Sequence, residues 1–236
     1  MPTTSKRKTN ELRPVKIKPF KTAAPGSVMI EQGDTHVLCT ASIAEDVPKW
    51  LLGKDGVPER GWVTAEYNML PGSTQQRKRR GPDSRGTEIQ RLIARTLRAA
   101  VDLDKMPGLM ITCDCDVIRA DGGTRTASIT GAFVALSQAI AHARKEGLIK
   151  QNPIHGPVAA VSVGIIDGKA YLDLDYPLDV RAEVDMNVAM NHKGHFIEVQ
   201  GTAEHGTYDK KQLDTLLGLA DKGIRKLIKI QRAAIK

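Results

Sequence analysis

Apolar positions along the chain fall into two alternating blocks, each closed by a helical stretch. SVMIE and THVLCTASI carry β-branched, alternating side chains and are split by Gln32-Gly33-Asp34, which predicts a hairpin. WVTAEYNML predicts a further strand. In LMITCDCDVIRAD, strict alternation puts Ile111, Cys113, Cys115 and Val117 on one face and Thr112, Asp114 and Asp116 on the other. TEIQRLIARTLRAAVDL changes the period. Its Ile89, Leu92, Ile93, Leu97, Ala100 and Val101 recur at helical spacing, with Arg91, Arg95 and Arg98 opposite. DGGTRTASITGAFVALSQAIAHARKEG predicts a second helix with a glycine-rich entry. The second block holds strands PVAAVSVGIID, KAYLDLDY, EVDMNVAMN and HFIEVQGTAE, with glycine turns at Asp167-Gly168 and Lys193-Gly194. A last amphipathic helix runs from about Lys210 to Ala234, striped by Leu213, Leu216, Leu217, Ala220, Ile224, Leu227 and Ile228.

Strands followed by helices, twice over, predict an α+β protein of two sheet-plus-helix halves. The expected divisions are a flexible basic arm at 1–9, an N-terminal domain at 10–146, a linker at 147–156 and a C-terminal domain at 157–236. Between the third strand and the first helix, PGSTQQRKRRGPDSRGTE has almost nothing apolar and reads as an exposed loop.

Composition narrows the classes. The chain has 236 residues, 41% of them hydrophobic and 26% charged, which excludes a disordered or fibrous chain. No run approaches the ~18 apolar residues of a membrane span, and the basic start lacks the apolar core of a secretory signal. Three cysteines make neither a disulfide framework nor a zinc site, so a reducing cytoplasm is expected, and Cys113 and Cys115 belong in a core. Net charge is +8, which favours a polyanionic partner. Cationic clusters sit at both ends: Lys6, Arg7, Lys8, Arg13, Lys16 and Lys18 first, Lys222, Arg225, Lys226, Lys229 and Arg232 last. For each, a solvated face is the competing reading. Aromatic residues are only 4%, too few for a base-stacking surface, so a nucleic-acid partner is met through phosphates and shape.

Three stretches carry candidate chemistry. In Arg119-Ala-Asp-Gly-Gly-Thr-Arg-Thr-Ala-Ser128, Gly122 and Gly123 let backbone N–H groups approach a ligand at a helix N-terminus, where a phosphate fits. Thr124 adds a hydroxyl and Arg125 a forked cation. A plain capped strand-to-helix turn is the alternative. In the second stretch, Asp173 to Asn187, alternation turns Glu183, Asp185 and Asn187 away from Val184, Met186 and Val188, and Asp179 lies six residues before Asp185. Two converging carboxylates suit Mg²⁺, which takes oxygen ligands and keeps waters. A solvated strand face stays open there. The third is the basic loop Gln75–Arg85, suited to clamping a nucleic-acid backbone, with a processing site or mere solubility as its rivals.

Taken together, GDTHVLCTAS, GWVTAEYNMLP, TEIQRLIARTLRAAVDL, CDVIRADGGTRTASITGAFVAL, AAVSVGI, EVDMNV and IEVQGTAE resemble the ribonuclease PH family, bacterial phosphorolytic exoribonucleases that trim tRNA 3′ ends. The resemblance runs from about Asn10 to Ala234. It implies a ribosomal-protein-S5-domain-2-like fold and a homohexameric ring built as a trimer of dimers. It implies inorganic phosphate, the co-substrate, on Arg85, Gly123, Thr124 and Arg125. It places catalysis and a divalent metal on Asp179 and Asp185. RNA contacts fall on Arg77 and Arg80, with Lys78 and Arg79 beside them, and the partners are tRNA precursors and other RNA 3′ ends, with no membrane. Departures are Gly72 where the family has arginine, Asp83-Ser-Arg-Gly-Thr87 before the first helix, and Val180-Arg181-Ala182 after Asp179. The last puts an extra arginine beside the acids, expected to alter metal affinity or add a phosphate contact. Two other functions remain open: a non-catalytic RNA-binding ring subunit and a hydrolytic exonuclease. Intact Asp179, Asp185 and Thr124-Arg125 weigh against the first, and the phosphate-shaped turn against the second.

Overall fold

Two antiparallel-dominated sheets share one buried helix. The computed structural model describes residues 7–81 and 84–235. The first sheet contains β1 (Val15–Pro19), β2 (Gly26–Gln32), β3 (Thr35–Ala44), β4 (Trp62–Met69) and β5 (Met110–Arg119) in the order β1-β2-β3-β5-β4. All neighbours are antiparallel except β4 and β5. The second contains β6 (Val158–Ile166), β7 (Lys169–Leu172), β8 (Val184–Asn191) and β9 (Phe196–Ala203), ordered β7-β6-β8-β9 and wholly antiparallel. The helices are α1 (Ser84–Arg98), α2 (Thr124–Lys145), the single turn α3 (Tyr176–Asp179) and α4 (Lys210–Ala234). This is the predicted α+β architecture of two sheet-plus-helix halves.

Helix α2 explains how the halves join. Its apolar and small residues run all round it, and most of its positions are buried, as expected for a helix wrapped on several sides. One side packs on β2, β3 and β5, and another meets β6. A single core therefore runs from Val28 and Ile111 through Phe133 and Leu136 to Val158 and Ala160. Helix α4 is amphipathic instead. It lays Leu216, Ala220, Ile224 and Leu227 on the second sheet, against Val161, Val163 and Met186. Its start carries a capping box, Asp209 with Gln212. Among the described residues, no helix is long and apolar enough to cross a membrane. Cys39, Cys113 and Cys115 are free and buried, which for Cys113 and Cys115 is the placement their strand face predicts.

The structure departs from the sequence reading in four places. Strand β1, hidden among Lys16 and Lys18, edges the first sheet by pairing with β2. The exposed loop ends earlier than expected, because Ser84 to Thr87 form the first turn of α1, ahead of the apolar stripe that betrays the rest. KAYLDLDY is not one strand. It stops at Leu172, where Asp173 takes a positive φ of 60° and is wholly buried. The expected flexible arm is docked from Arg7 onward. Arg7 donates to the carbonyls of Glu11, Leu172 and Asp173, and Thr9 accepts from Leu172 N–H at 2.8 Å. The remainder of that arm, residues 1–6, lies outside the described residues.

Candidate active site

The glycine-rich turn joins β5 to α2. Gly122 and Gly123 have φ of 71° and 64°, a region that side chains disfavour. A Cβ on Gly122 would stand 2.6 Å from the Leu174 carbonyl oxygen, so this turn also needs the space that glycine leaves. Gly123 caps α2 and no side chain caps its first turn. The mouth of a 22-residue helix thus presents N–H donors and a partial positive charge. Thr124 is the first helical residue. Its hydroxyl lies 2.8 Å from the Tyr67 phenol of β4. Arg125 follows, and its Nη1 donates to Glu88 of α1 at 3.3 Å and to Gln200 of β9 at 3.1 Å. Gln200 Nε2 donates to the same Glu88 oxygen at 3.2 Å. One guanidinium is therefore pinned between elements of both halves.

The acidic pair comes from the second half. Asp179 ends α3, whose start is capped by the Asp175 carboxylate accepting from Leu178 N–H. Asp185 sits on β8, with Val184, Met186 and Val188 turned into the core as the alternation predicts. Burial raises both carboxyls. Asp185 is pushed up to about 6, by burial first and by the charge of Asp179 second. Arg125 and Arg85 pull both acids down, and Glu204, just beyond β9, pushes both up. The fold thus brings Asp179, Asp185, Arg85 and Arg125 into one electrostatic neighbourhood, with Gly123 and Thr124 on the same helix mouth. Asp185 Oδ1 is buried without a hydrogen-bond partner among the described residues. An orphaned carboxylate oxygen is costly unless something meets it. A hard cation fits there, with water completing its shell. No group of three or more His, Cys, Asp or Glu able to hold a metal occurs among the described residues.

The basic loop folds over the end of β4. Ser73 is buried and anchors it, donating to Leu70 and accepting from Ala120 N–H. Lys78 N–H donates to the Pro71 carbonyl at 2.9 Å. Lys78, Arg79, Arg80 and Arg85 line a cleft of about 520 Å³ together with Tyr67 and Gln90. Arg77 is exposed and stands outside that lining.

Sequence reasoning missed five residues here: Arg13, Tyr67, Glu88, Gln200 and Glu204. Arg13 is the plainest correction, because a solvated face was one reading of its cationic cluster. It is only 6% exposed. Its Nε and Nη2 donate to the Asp173 carboxylate, and its Nη1 to the Asp121 carbonyl, so it props the glycine turn from behind. Asp173 also accepts from Arg13 N–H and from Gln32. Arg181 corrects another expectation. It pairs with Asp167 at the β6–β7 turn, so no acid of the pair is its ion-pair partner. The other four lie in stretches that carry the family resemblance, but nothing in their spacing marks a role.

Residues 11–141 match domain 1 of the 3′ exoribonuclease family, the RNase PH type, and residues 156–223 match its domain 2. The chain belongs to that family. Similar solved structures include a chain of the Archaeoglobus fulgidus exosome with RNA bound to the active site. That match has a TM-score of 0.81 at 23% identity and covers 98% of this chain and 91% of that one. A chain of an archaeal exosome core matches with a TM-score of 0.78 at 22% identity, covering 96% and 89%. Rice (Oryza sativa) Rrp46 matches with 0.78 at 18% identity, covering 98% and 99%. At these identities the likeness is one of fold.

Proposed function

We propose that this chain is a phosphate-dependent 3′→5′ exoribonuclease of the ribonuclease PH kind that trims tRNA precursors and related RNA 3′ ends. The observation that carries the reading is the meeting of an uncapped, arginine-flanked helix mouth with a half-buried carboxylate pair, one oxygen of which has no hydrogen-bond partner among the described residues. Inorganic phosphate binds the α2 mouth at Gly123 and Thr124 between Arg125 and Arg85. Two anions repel each other, and these cations reduce that repulsion while holding the attacking oxygen near the last phosphodiester. A phosphate oxygen forms a bond to the terminal phosphorus, and the bond from that phosphorus to the 3′ oxygen breaks. The products are a nucleoside diphosphate and an RNA one nucleotide shorter. Asp179, whose carboxyl burial pushes up, supplies the departing 3′ oxygen with its proton, directly or, when the carboxylate holds a metal ion, through a water. Asp185 and Asp179 are the residues to hold a Mg²⁺ ion, which when bound stabilises charge on the phosphodiester. Because one phosphate ester link is exchanged for an anhydride without water, excess diphosphate extends RNA.

Lys78, Arg79 and Arg80 guide the RNA backbone along the cleft, and Arg77 meets it farther out. Exposed Phe196 and Val199 on the edge strand β9 support assembly with further copies, as a hexameric ring built from three dimers. Three buried, unpaired thiols suit work in the reducing cytoplasm. The test uses a tRNA with a short labelled 3′ extension, Mg²⁺, and phosphate present or absent. Nucleoside diphosphate released only with phosphate supports the reading. Monophosphate released without phosphate makes the enzyme hydrolytic, and bound but uncut RNA makes the chain a binding subunit. Replacing Arg125 with Ala should raise the phosphate KM sharply, and an unchanged value would remove Arg125 from the phosphate site.

A further inference from the structure

Tyr67 is buried on β4, 5% exposed, yet its phenol reaches the one hydroxyl that the phosphate reading needs. Thr124 is also nearly buried, and no other partner of its hydroxyl appears among the described residues. The two oxygens lie 2.8 Å apart, a good O–H···O distance. Two hydroxyls carry two protons, and one hydrogen bond uses one of them. If Thr124 donates inward, its proton is spent on Tyr67 and an anion meets only lone pairs. If Tyr67 donates, Thr124 keeps its proton for a ligand. Tyr67 favours the second order once an anion arrives, because an accepting anion rewards a free Thr124 O–H. Burial raises the phenol's titration point, while Arg85 and Arg125 draw it down. Tyr67 also lines the 520 Å³ cleft, together with Arg85, so its phenol bridges that cleft and the first residue of α2.

We propose that Tyr67 is a positioning residue for phosphate, acting through Thr124 by fixing its hydroxyl as a donor toward the anion. The inference rests on the phosphate-dependent reading above. It assigns Tyr67 no contact with the reacting atoms. A structural role would need only the ring, which packs with the strand and which phenylalanine retains.

The test is Tyr67→Phe, with phosphate binding measured directly by calorimetry on the RNA-free protein and phosphate KM measured in turnover. One neutral hydrogen bond corresponds to about a 2- to 10-fold change in an equilibrium constant. Tyr67→Phe should therefore weaken phosphate binding and raise its KM by about that factor, with the effect falling on KM rather than kcat. In a double-mutant cycle, Tyr67→Phe should add nothing once Thr124→Val has removed the hydroxyl. Unchanged phosphate affinity in Tyr67→Phe, with Arg125→Ala clearly impaired, overturns the proposal and leaves the phosphate site standing. A full extra loss in the double variant also overturns it, since Tyr67 would then touch the anion itself. If Arg125→Ala and Arg85→Ala bind phosphate like the parent, the phosphate reading falls and this inference falls with it. If Tyr67→Phe does not fold, the cycle is run with 3-fluorotyrosine at position 67. A more acidic phenol is a stronger donor and should tighten phosphate binding, and weaker or unchanged binding overturns the proposal.

Discussion

At the residue scale, Asp185 sets function against stability. Its carboxyl keeps a proton up to about pH 6 in the folded chain, against an ordinary value of 3.8. Between those values the folded state binds more protons than the unfolded one. Stability therefore falls as pH rises through that window, and the full cost of a buried charge is present above it. Asp185→Asn should raise the melting temperature at pH 7 in the presence of a chelator. It should also flatten the fall in melting temperature between pH 4 and 6, while abolishing nucleotide release. An unaltered pH slope in the variant would mean that the burial of Asp185 is relieved in solution. Alternation in EVDMNV was enough to place this side chain opposite the core. It could not tell that Oδ1 would be left without a partner, because that depends on β6 and β9 closing around it.

At the element scale, the α1 start, the α2 mouth and β9 are tied by Arg125, Glu88 and Gln200. A second tie, Arg95 to Glu198, crosses the same seam at 2.8 Å. Both partners there are partly exposed, so that pair contributes little to stability. Gln200→Ala removes one anchor of Arg125 and should raise phosphate KM several-fold with little change in melting temperature, checked by paired kinetics and thermal unfolding. Gly122→Ala should act differently. Its Cβ would press on the Leu174 carbonyl and the backbone of Asp175 in a left-handed conformation, at a cost of about 1–3 kcal/mol. Urea unfolding would measure that loss, and an unchanged midpoint would mean the turn has room to shift. The chain's strands and long helices were legible because a buried face repeats at period 2 or 3.6. The first turn of α1 was not, because Arg85 and Gly86 precede its apolar stripe. Strand β1 was masked by its lysines, since an edge strand can keep one side in water.

At the scale of the whole molecule, one buried ion pair fastens three distant pieces of chain. Arg13 and Asp173 meet at 2.7 Å, and the carboxylate side chain is 0% exposed. Nothing local in the sequence announces the pair, because its partners lie 160 residues apart. Removing only the carboxylate strands a buried guanidinium, so Asp173→Ala should cost roughly 3–5 kcal/mol in denaturant unfolding. A smaller loss would mean that water reaches Arg13 in the variant. Phosphate affinity should fall too, because Arg13 also holds Asp121 and Gly122.

That same pair bears on the order in which the protein comes into being. Domains emerging from the ribosome fold from the N-terminal end, and contacts between distant residues close late. The first sheet, α1 and the glycine turn are all synthesised before Asp173 and Leu174, which brace that turn from the second half. A nascent chain stopped after α2 contains the glycine turn but lacks the residues that brace it from the second half. The turn gains its bracing only when the β7–α3 connection docks, so chains truncated after α2 should bind phosphate more weakly than the full chain, as calorimetry would show.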